Sequence, residues 1–246
     1  ADIKERFGFK APGAILTRLA AVVDPYRMAS KLLTRLVERG GRVFDRTMID
    51  SIEPGEDSVT LRTPEGFEIR SKHVVIAAGY ASQKWLKQSV AKNRSSYAFI
   101  TDPIDEAVLG PLAKTMVWES ARPYLYMRAT GDGRLLVGGD DDDMDIPARR
   151  DRRVDSKSKG LSKKVQKLFP ELPLRPAFSW GGTFAETEDG LPFFGEHPQY
   201  GPRVQFAMAY GGNGISYSMI GAGLLRANIE GRPHPLASLF GFSRIG

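Results

Sequence analysis

Residues 74–79 read Val-Val-Ile-Ala-Ala-Gly, and they decide the fold class of the chain. The run is continuously apolar and ends in small residues, which is the pattern of a strand buried on both faces of a parallel sheet. Ligands of open α/β sheets bind at the carboxyl ends of such strands, so we expect a ligand to contact the backbone of Ala77, Ala78 and Gly79. The alternative for these residues is a core strand that ends in an ordinary turn.

A helix and a hairpin are predicted before this strand. Asp24 can cap a helix that Pro25 opens, and Gly40 is placed to end it. The alternation in residues 58–63, followed by a Pro-Glu-Gly turn and an extended segment at 67–69, predicts an antiparallel hairpin.

The pattern changes in the middle of the chain and returns near its end. Short strands are expected at residues 97–101, 116–118, 124–128 and 135–137, with one helix at 149–169. A strand at 204–208 and a helix at 215–230 then resume the first pattern. We therefore predict α/β with an α+β insertion. A discontinuous, partial Rossmann-like domain comprises residues 1–92 and 183–246, and a mainly antiparallel domain comprises residues 93–182.

A glycine-rich loop lies between that last strand and helix, at residues 210–216, Tyr-Gly-Gly-Asn-Gly-Ile-Ser. Glycines let a ligand approach the backbone, and a helix N-terminus offers unpaired N–H groups that favour negative charge. Tyr217 stands where the dinucleotide fingerprint has its third glycine, so the loop is not that motif. Taken alone, the loop could also be an ordinary glycine-rich turn.

The composition excludes several classes of protein. Cysteine is absent from the 246 residues, so no disulfide framework or thiolate metal site is possible, and a cytoplasmic location is expected. No apolar run reaches the roughly 18 to 20 residues of a membrane span. The net charge is +6, and its densest basic run, residues 149–167, has helical spacing and indicates a solvated helix, so no nucleic-acid partner is expected.

No metal site is predicted either. The three histidines, His73, His197 and His234, are widely separated in the sequence. The acidic run at residues 140–143 lacks the spacing of a calcium loop and is expected to be a surface loop.

Five segments, taken in order, carry a resemblance to a known family. They are Val-Asp-Pro-Tyr-Arg at 23–27, residues 74–79, Trp-Gly-Gly at 180–182, Glu-Asp-Gly-Leu-Pro-Phe-Phe-Gly at 188–195 and Gly-Gly-Asn-Gly-Ile at 211–215. This succession resembles the D-amino-acid oxidase superfamily of FAD-dependent oxidoreductases, which includes glycine, sarcosine and γ-glutamylputrescine oxidases. The resemblance implies oxidation of a C–N bond of an amine or amino acid by hydride transfer to flavin, with positioning and electrostatics as the protein's part. No catalytic side chain is assigned.

The resemblance also implies which residues contact FAD. The segment around Ile49 is similar to the strand that meets the adenine, and residues 77–79 to the turn beside the ADP portion. Gly190 and residues 212–216 are similar to the part that lies against the isoalloxazine, where the helix N-terminus would stabilise negative charge on the ring. The residues assigned to FAD are Ile49, Ala77, Ala78, Gly79, Gly190, Gly212, Asn213, Gly214, Ile215 and Ser216.

Four residues are assigned to the substrate. In glycine-oxidase-like members an arginine that follows the Trp-x-Gly segment pairs with the substrate carboxylate, and here Phe184 stands at about that place. This departure favours an amine without an adjacent carboxylate. Arg128 could compensate, because Tyr124, Tyr126 and Arg128 alternate onto one face of a predicted strand, although the same pattern also fits a half-exposed strand.

Members of this superfamily begin with a G-x-G-x-x-G turn that this sequence lacks. We therefore expect a truncated portion of a flavoenzyme that is inactive alone and holds FAD weakly, if at all. Two other functions stay open: a non-catalytic binding or regulatory module, and a flavin dehydrogenase that passes electrons to a protein acceptor. Sheet edges left without partners would also let copies of the chain form a homo-oligomer.

Overall fold

The computed structural model describes residues 3–17 and 19–245, which divide into two compact units. The mixed-sheet unit contains residues 23–92 and 184–245, and the antiparallel unit contains residues 93–183. Residues 3–17 and 19–22 group with the antiparallel unit, whereas the sequence places them in the other domain. The functional roles of the two units remain predictions.

Six helices and eleven strands follow one another along the described chain. In order they are α1 (Ile3–Phe7), α2 (Pro25–Glu38), β1 (Ser51–Pro54), β2 (Val59–Arg62), β3 (Glu68–Ser71), β4 (Val74–Ile76), β5 (Lys92–Pro103), α3 (Glu106–Leu109), β6 (Val117–Trp118), β7 (Leu125–Ala129), β8 (Arg134–Asp142), α4 (Pro147–Leu168), β9 (Pro176–Glu186), β10 (Phe193–Glu196), β11 (Val204–Met208), α5 (Gly214–Ile229) and α6 (Ala237–Phe240). Short 3-10 helices occupy Gly79–Trp85, Gly110–Ala113 and Phe242–Arg244. Among the described residues, no helix combines the length and apolar character that crossing a membrane requires.

Helix α2 begins where the sequence predicts it. The Asp24 carboxylate accepts a hydrogen bond from the Arg27 N–H at 3.0 Å, and Pro25 occupies the first turn. No residue of α2 is buried, and its apolar side chains Leu32, Leu33 and Leu36 are about half exposed. The cap is therefore a local feature that forms without tertiary packing of this helix.

The predicted hairpin is also present. Strands β1, β2 and β3 form an antiparallel sheet in which Ile52 pairs with Leu61 and Leu61 with Ile69. Leu61 and Ile52 pack against a core cluster that contains Val59 and Ile76, so this sheet belongs to the same core as β4.

A second three-stranded sheet runs in the order β10-β11-β4. The parallel pairing predicted for residues 74–76 is confirmed, because Val204 pairs with Val74 and Phe206 with Ile76 in the same direction. The predicted burial of that strand on both faces is wrong: Val75 is 42% exposed, and β4 lies at the edge of the sheet. The fully buried strand is β11, which is central and buried at every residue.

Helix α5 packs closely on β10 through a glycine. A Cβ atom at Gly221 would lie 2.1 Å from the ring of Phe194, which is only 1% exposed. The absence of a side chain at Gly221 therefore sets how near α5 can come to β10.

In the antiparallel unit, helix α4 covers one face of a sheet in the order β6-β7-β8-β5-β9. Leu161 and Val165 of α4 share a core cluster with Phe99, Met127 and Val137 of the strands. These helix residues lie at the i, i+4 spacing that puts them on one face.

The acidic run at residues 140–143 is not the surface loop that the sequence predicts, because β8 extends to Asp142. Lys157 of α4 contacts Asp140 at 3.2 Å and Asp142 at 2.8 Å, and each of the three side chains is about four-fifths buried. Lys164 also pairs with Asp140, at 3.0 Å, and Arg153 with Asp142, at 2.9 Å. Burial alone would raise the pKa of both carboxyl groups, but the hydrogen bonds from these cations hold it below its ordinary value. These ion pairs hold α4 against β8.

Substitution of two glycines in α5 tests the packing argument. Gly221→Ala should lower the free energy of unfolding by about 1 to 3 kcal/mol, because the new methyl group overlaps the buried Phe194 ring. Gly223→Ala should raise it by up to about 1 kcal/mol, because the nearest atom to its Cβ, His234 Nε2, is 4.0 Å away and alanine favours helix. Urea unfolding of both variants measures the difference, and equal effects would contradict the packing argument.

Candidate functional site

Three chain segments meet at one end of the β10-β11-β4 sheet. Because β4 and β11 are parallel, residues 77–79 after β4 and residues 209–213 after β11 leave the sheet at the same end. Strand β10 is antiparallel, and Phe193 at its start pairs with Met208 at the end of β11, so the turn at residues 187–192 lies at this end too. Nine of the ten residues assigned to FAD are in these segments or in the first turn of α5.

The loop after β11 holds an unusual backbone conformation. Ala209 has a φ of 61° and Gly211 a φ of 54°, in the left-handed region that non-glycine residues rarely adopt. The Gly211 N–H donates a hydrogen bond of 2.9 Å to the carbonyl of Ala185 at the end of β9, which ties the loop to the neighbouring segment. This conformation turns the chain directly into α5.

The N-terminus of α5 presents uncapped donors. Asn213 occupies the cap position, but its side chain makes no capping hydrogen bond. The N–H groups of the first helical turn cannot bond within the helix and carry part of the positive end of its dipole. A cavity of about 350 Å³ borders Gly212, Asn213, Gly214, Ile215, Ser216 and Ser218. No side chain that lines it is charged, so the helix end supplies the local field.

Glycines leave the backbone open at this end of the sheet. A Cβ built at Gly190, Gly211 or Gly212 would meet no atom within 4 Å. Gly190 has a φ of 73°, a backbone conformation that would be strained for a residue with a side chain. A flat group could therefore lie against these peptide bonds.

A second cavity, of about 560 Å³, runs between β4 and α5. Val75, Ala77, Ala207, Tyr210 and Ser218 contribute to its lining, and Ser218 borders both cavities. Burial raises the pKa of Tyr210 above its ordinary value, although a hydrogen bond with Ser218 acts in the opposite direction. The Tyr210 phenol is therefore neutral at physiological pH.

Ile49 is the assigned residue that stands apart. It is half buried and precedes β1, in the sheet formed by β1, β2 and β3 rather than at the end of the β10-β11-β4 sheet.

In the antiparallel unit, Tyr126 and Arg128 lie on the sheet face opposite α4. Their neighbours Leu125 and Met127 are buried in the core that contains the α4 residues, so alternation directs Tyr126 and Arg128 away from the helix. Tyr124 directly precedes β7 and is half buried, and its carbonyl accepts a hydrogen bond from Asp140 N–H at 3.0 Å.

Arg128 has a free guanidinium on that face. Its one hydrogen bond is a long one, 3.4 Å, to the carbonyl of the adjacent Ala129. Within residues 3–17 and 19–245, no carboxylate lies at ion-pair distance from it. The side chain is therefore available to an anionic ligand.

Tyr126 lies across a glycine. A Cβ at Gly138, its partner residue on β8, would be 2.4 Å from the Tyr126 Cζ atom. The phenol reaches past β8 toward Ser96 of β5. Burial raises the pKa of Tyr126, the Ser96 hydrogen bond acts against this rise, and the charge of Asp141 adds to it.

Several aromatic side chains on the same face were missed by the sequence analysis. Trp118 pairs with Tyr126 across β6 and β7 and is 67% exposed. On β9, Ser179 contacts α4 by donating a hydrogen bond to Ser158, so Phe178 and Trp180 alternate onto the open face. The alternation of residues 178–182 was the available signal. Phe184, farther along β9, is half buried.

Comparison with known proteins decides the family. The family model described as FAD dependent oxidoreductase matches residues 1–227. The chain belongs to this family. Glycine oxidase of Bacillus subtilis (strain 168) is 26% identical over 200 residues, which cover 78% of this chain and 50% of the relative. Glycine oxidase of Geobacillus kaustophilus (strain HTA426) is 28% identical over 223 residues, or 88% of this chain and 55% of the relative.

A solved structure of a family member shares the fold. The crystal structure of glycine oxidase from Geobacillus kaustophilus has a TM-score of 0.69 at 24% identity, over 88% of this chain and 57% of that one. The predicted resemblance and fold class are therefore confirmed. The chain spans about half the length of the curated relatives that it matches.

A substitution at Gly138 tests the placement of Tyr126. Gly138→Ala should displace the phenol from its place over Gly138 toward solvent, and the pKa of Tyr126 should fall toward the ordinary tyrosine value of about 10. Ultraviolet titration of the phenolate measures this change, with Tyr126→Phe used to identify the titrating group. The control is Gly182→Ala on β9, whose Cβ would meet no atom within 4 Å. An unchanged titration curve in Gly138→Ala would show that the ring does not depend on Gly138.

Proposed function

We propose that the protein containing this chain is a flavoenzyme that oxidises the C–N bond of a carboxylate-bearing amine, with the mixed-sheet unit holding FAD and the antiparallel unit holding the substrate. Membership of the FAD dependent oxidoreductase family and the glycine oxidases among its relatives support the reaction class. The observation that carries the proposal is the meeting of residues 77–79, 187–192 and 209–216 at one sheet end, next to the uncapped N-terminus of α5.

The chemistry of the donors fits a flavin. First-turn N–H groups at Gly214, Ile215 and Ser216 would donate to the edge of the ring that becomes negative on reduction, and the glycine backbone leaves room for a flat ring system. Residues 77–79, exposed at the end of β4, would contact the ADP portion. FAD would supply the hydride acceptor when bound, and the residues of this chain would bind and orient the cofactor and the substrate.

The free guanidinium of Arg128 supports a substrate with a carboxylate. Phe184 cannot form an ion pair with a carboxylate, whereas Arg128 offers an uncompensated cation on the open face. A charged donor there would bind and orient the carboxylate. The aromatic side chains Trp118, Tyr126, Phe178 and Trp180 would contact the apolar part of the same substrate.

A flavin titration tests the cofactor proposal. The protein containing this chain should bind both FAD and riboflavin, with quenching of flavin fluorescence, because the chain supplies the segments proposed to contact the ring system. Gly212→Val should weaken both affinities about tenfold or more, since its side chain would project into the cavity, with little change in the free energy of unfolding. Gly131→Val, in an open turn of the antiparallel unit, is the matched control. Absence of flavin binding by the unsubstituted protein that contains this chain would contradict the proposal.

A kinetic comparison tests the substrate proposal. In the enzyme containing this chain, Arg128→Gln should raise KM for amino-acid substrates such as glycine or sarcosine by about 10- to 100-fold, which is the usual contribution of a charge-assisted hydrogen bond. Oxidation of amines without a carboxylate should not change. Arg152→Gln, on the exposed side of α4, is the control. Equal KM values in Arg128→Gln and Arg152→Gln would exclude Arg128 as the carboxylate ligand.

A further inference from the structure

The turn at residues 187–192 carries Gly190 and is closed by its own polar groups. The Thr187 hydroxyl lies 3.0 Å from Asp189 Oδ1 and 2.8 Å from the Leu191 carbonyl. Leu191 N–H donates to Asp189 Oδ1 at 3.0 Å. The Asp189 carboxylate therefore accepts hydrogen bonds that close the turn. A Cβ atom built at Gly190 would meet no other atom within 4 Å.

Arg244 reaches this turn from a distant part of the sequence. Its Nε donates to Asp189 Oδ2 at 2.8 Å, across 55 residues of chain. Its Nη1 donates to the Pro192 carbonyl at 3.0 Å, and its Nη2 donates to the Leu191 carbonyl. The guanidinium carbon lies 3.7 Å from the centroid of the Phe193 ring, and the side chain is only 13% exposed.

These contacts require an arginine. A planar guanidinium can donate in its own plane to one carboxylate and two carbonyls while its face stacks on an aromatic ring, and a lysine ammonium cannot do both. The segment that carries Arg244 is itself fixed, because Phe242 stacks on Phe193 with ring centroids 4.6 Å apart and an interplanar angle of 9°. The turn is therefore braced against the start of β10.

We propose that Arg244 is a positioning residue for the cofactor site: it holds the turn at residues 187–192 so that the backbone of Gly190 lies in a fixed place beside the N-terminus of α5. This inference rests on the proposed function, in which Gly190 contacts the flavin. Arg244 does not itself border either of the cavities at α5. It acts through Asp189 and the peptide bonds of the turn.

The acid response of the turn agrees with this geometry. Burial alone would raise the pKa of Asp189, but the hydrogen bonds from Arg244, Leu191 N–H and Thr187 lower it below its ordinary value. A carboxyl group with a lowered folded-state pKa contributes stability above its unfolded pKa of about 3.9, and this contribution is lost as the pH falls through the folded value. The ion pair between Arg244 and Asp189 is therefore fully formed at neutral pH.

Two variants test the inference, and each is measured without and with flavin. Arg244→Gln removes the ion pair and the stacked cation, and Asp189→Asn removes the carboxylate charge while leaving the arginine on Phe193. In both, amide hydrogen exchange at Gly190 and Leu191 should accelerate about tenfold or more, with β10 and β11 amides unchanged. Affinity for FAD should fall, and the visible circular dichroism of bound flavin should change. Arg244→Lys should not restore either property.

The control is Arg232→Gln, which removes an exposed ion pair with Glu230 in the same unit. Unchanged exchange at Gly190 and Leu191 in both variants would overturn the inference, as would faster exchange with FAD affinity and flavin spectrum equal to those of the unsubstituted chain. If the unsubstituted protein that contains this chain binds no flavin, the proposed function fails and the cofactor role of Arg244 fails with it. Hydrogen exchange measured without flavin distinguishes the two failures, because it shows whether Arg244 holds the turn at residues 187–192 even when no flavin binds.

Discussion

The parallel pairing of β11 with β4 is the constraint on which the candidate site depends. It brings the chain out of both strands at the same end of the sheet, and the antiparallel β10 adds the turn at residues 187–192 to that end. Gly221 then lets α5 pack closely on β10, in the sheet whose end carries these loops. Backbone direction and one missing side chain thus position most of the residues assigned to the cofactor, before any polar side chain contributes.

Much of the fold could be predicted because its signals are local. The Asp24 cap, the alternation of residues 58–63 and the glycines at 211–214 each depend on neighbours within a few residues, and each indicated the correct element. The family resemblance rested on the same kind of short motif. The sequence also put Tyr126 and Arg128 on one strand face, since a strand has a period of two.

The remainder depends on partners that are distant in sequence. The apolar run at residues 74–76 fits a central strand, but only the sheet order shows that β4 is at an edge and Val75 exposed. The sequence could not distinguish the acidic run at residues 140–143 from a surface loop. The structure does so, because Lys157 and Lys164 of α4 form ion pairs with Asp140 in this run. Arg244 had no local signal at all, because all its informative contacts are with residues near Asp189.

The charged attachment of α4 to β8 has a thermal consequence. Apolar contacts and ion pairs respond differently to heating, because the cost of removing charged groups from water falls as temperature rises, whereas the hydrophobic contribution per unit area levels off. Asp140, Asp142 and Lys157 are mostly shielded from solvent, so added salt weakens their attraction less than that of exposed pairs. The attraction at this junction therefore falls less in added salt than that of exposed ion pairs, and the cost of burying its charges falls on heating.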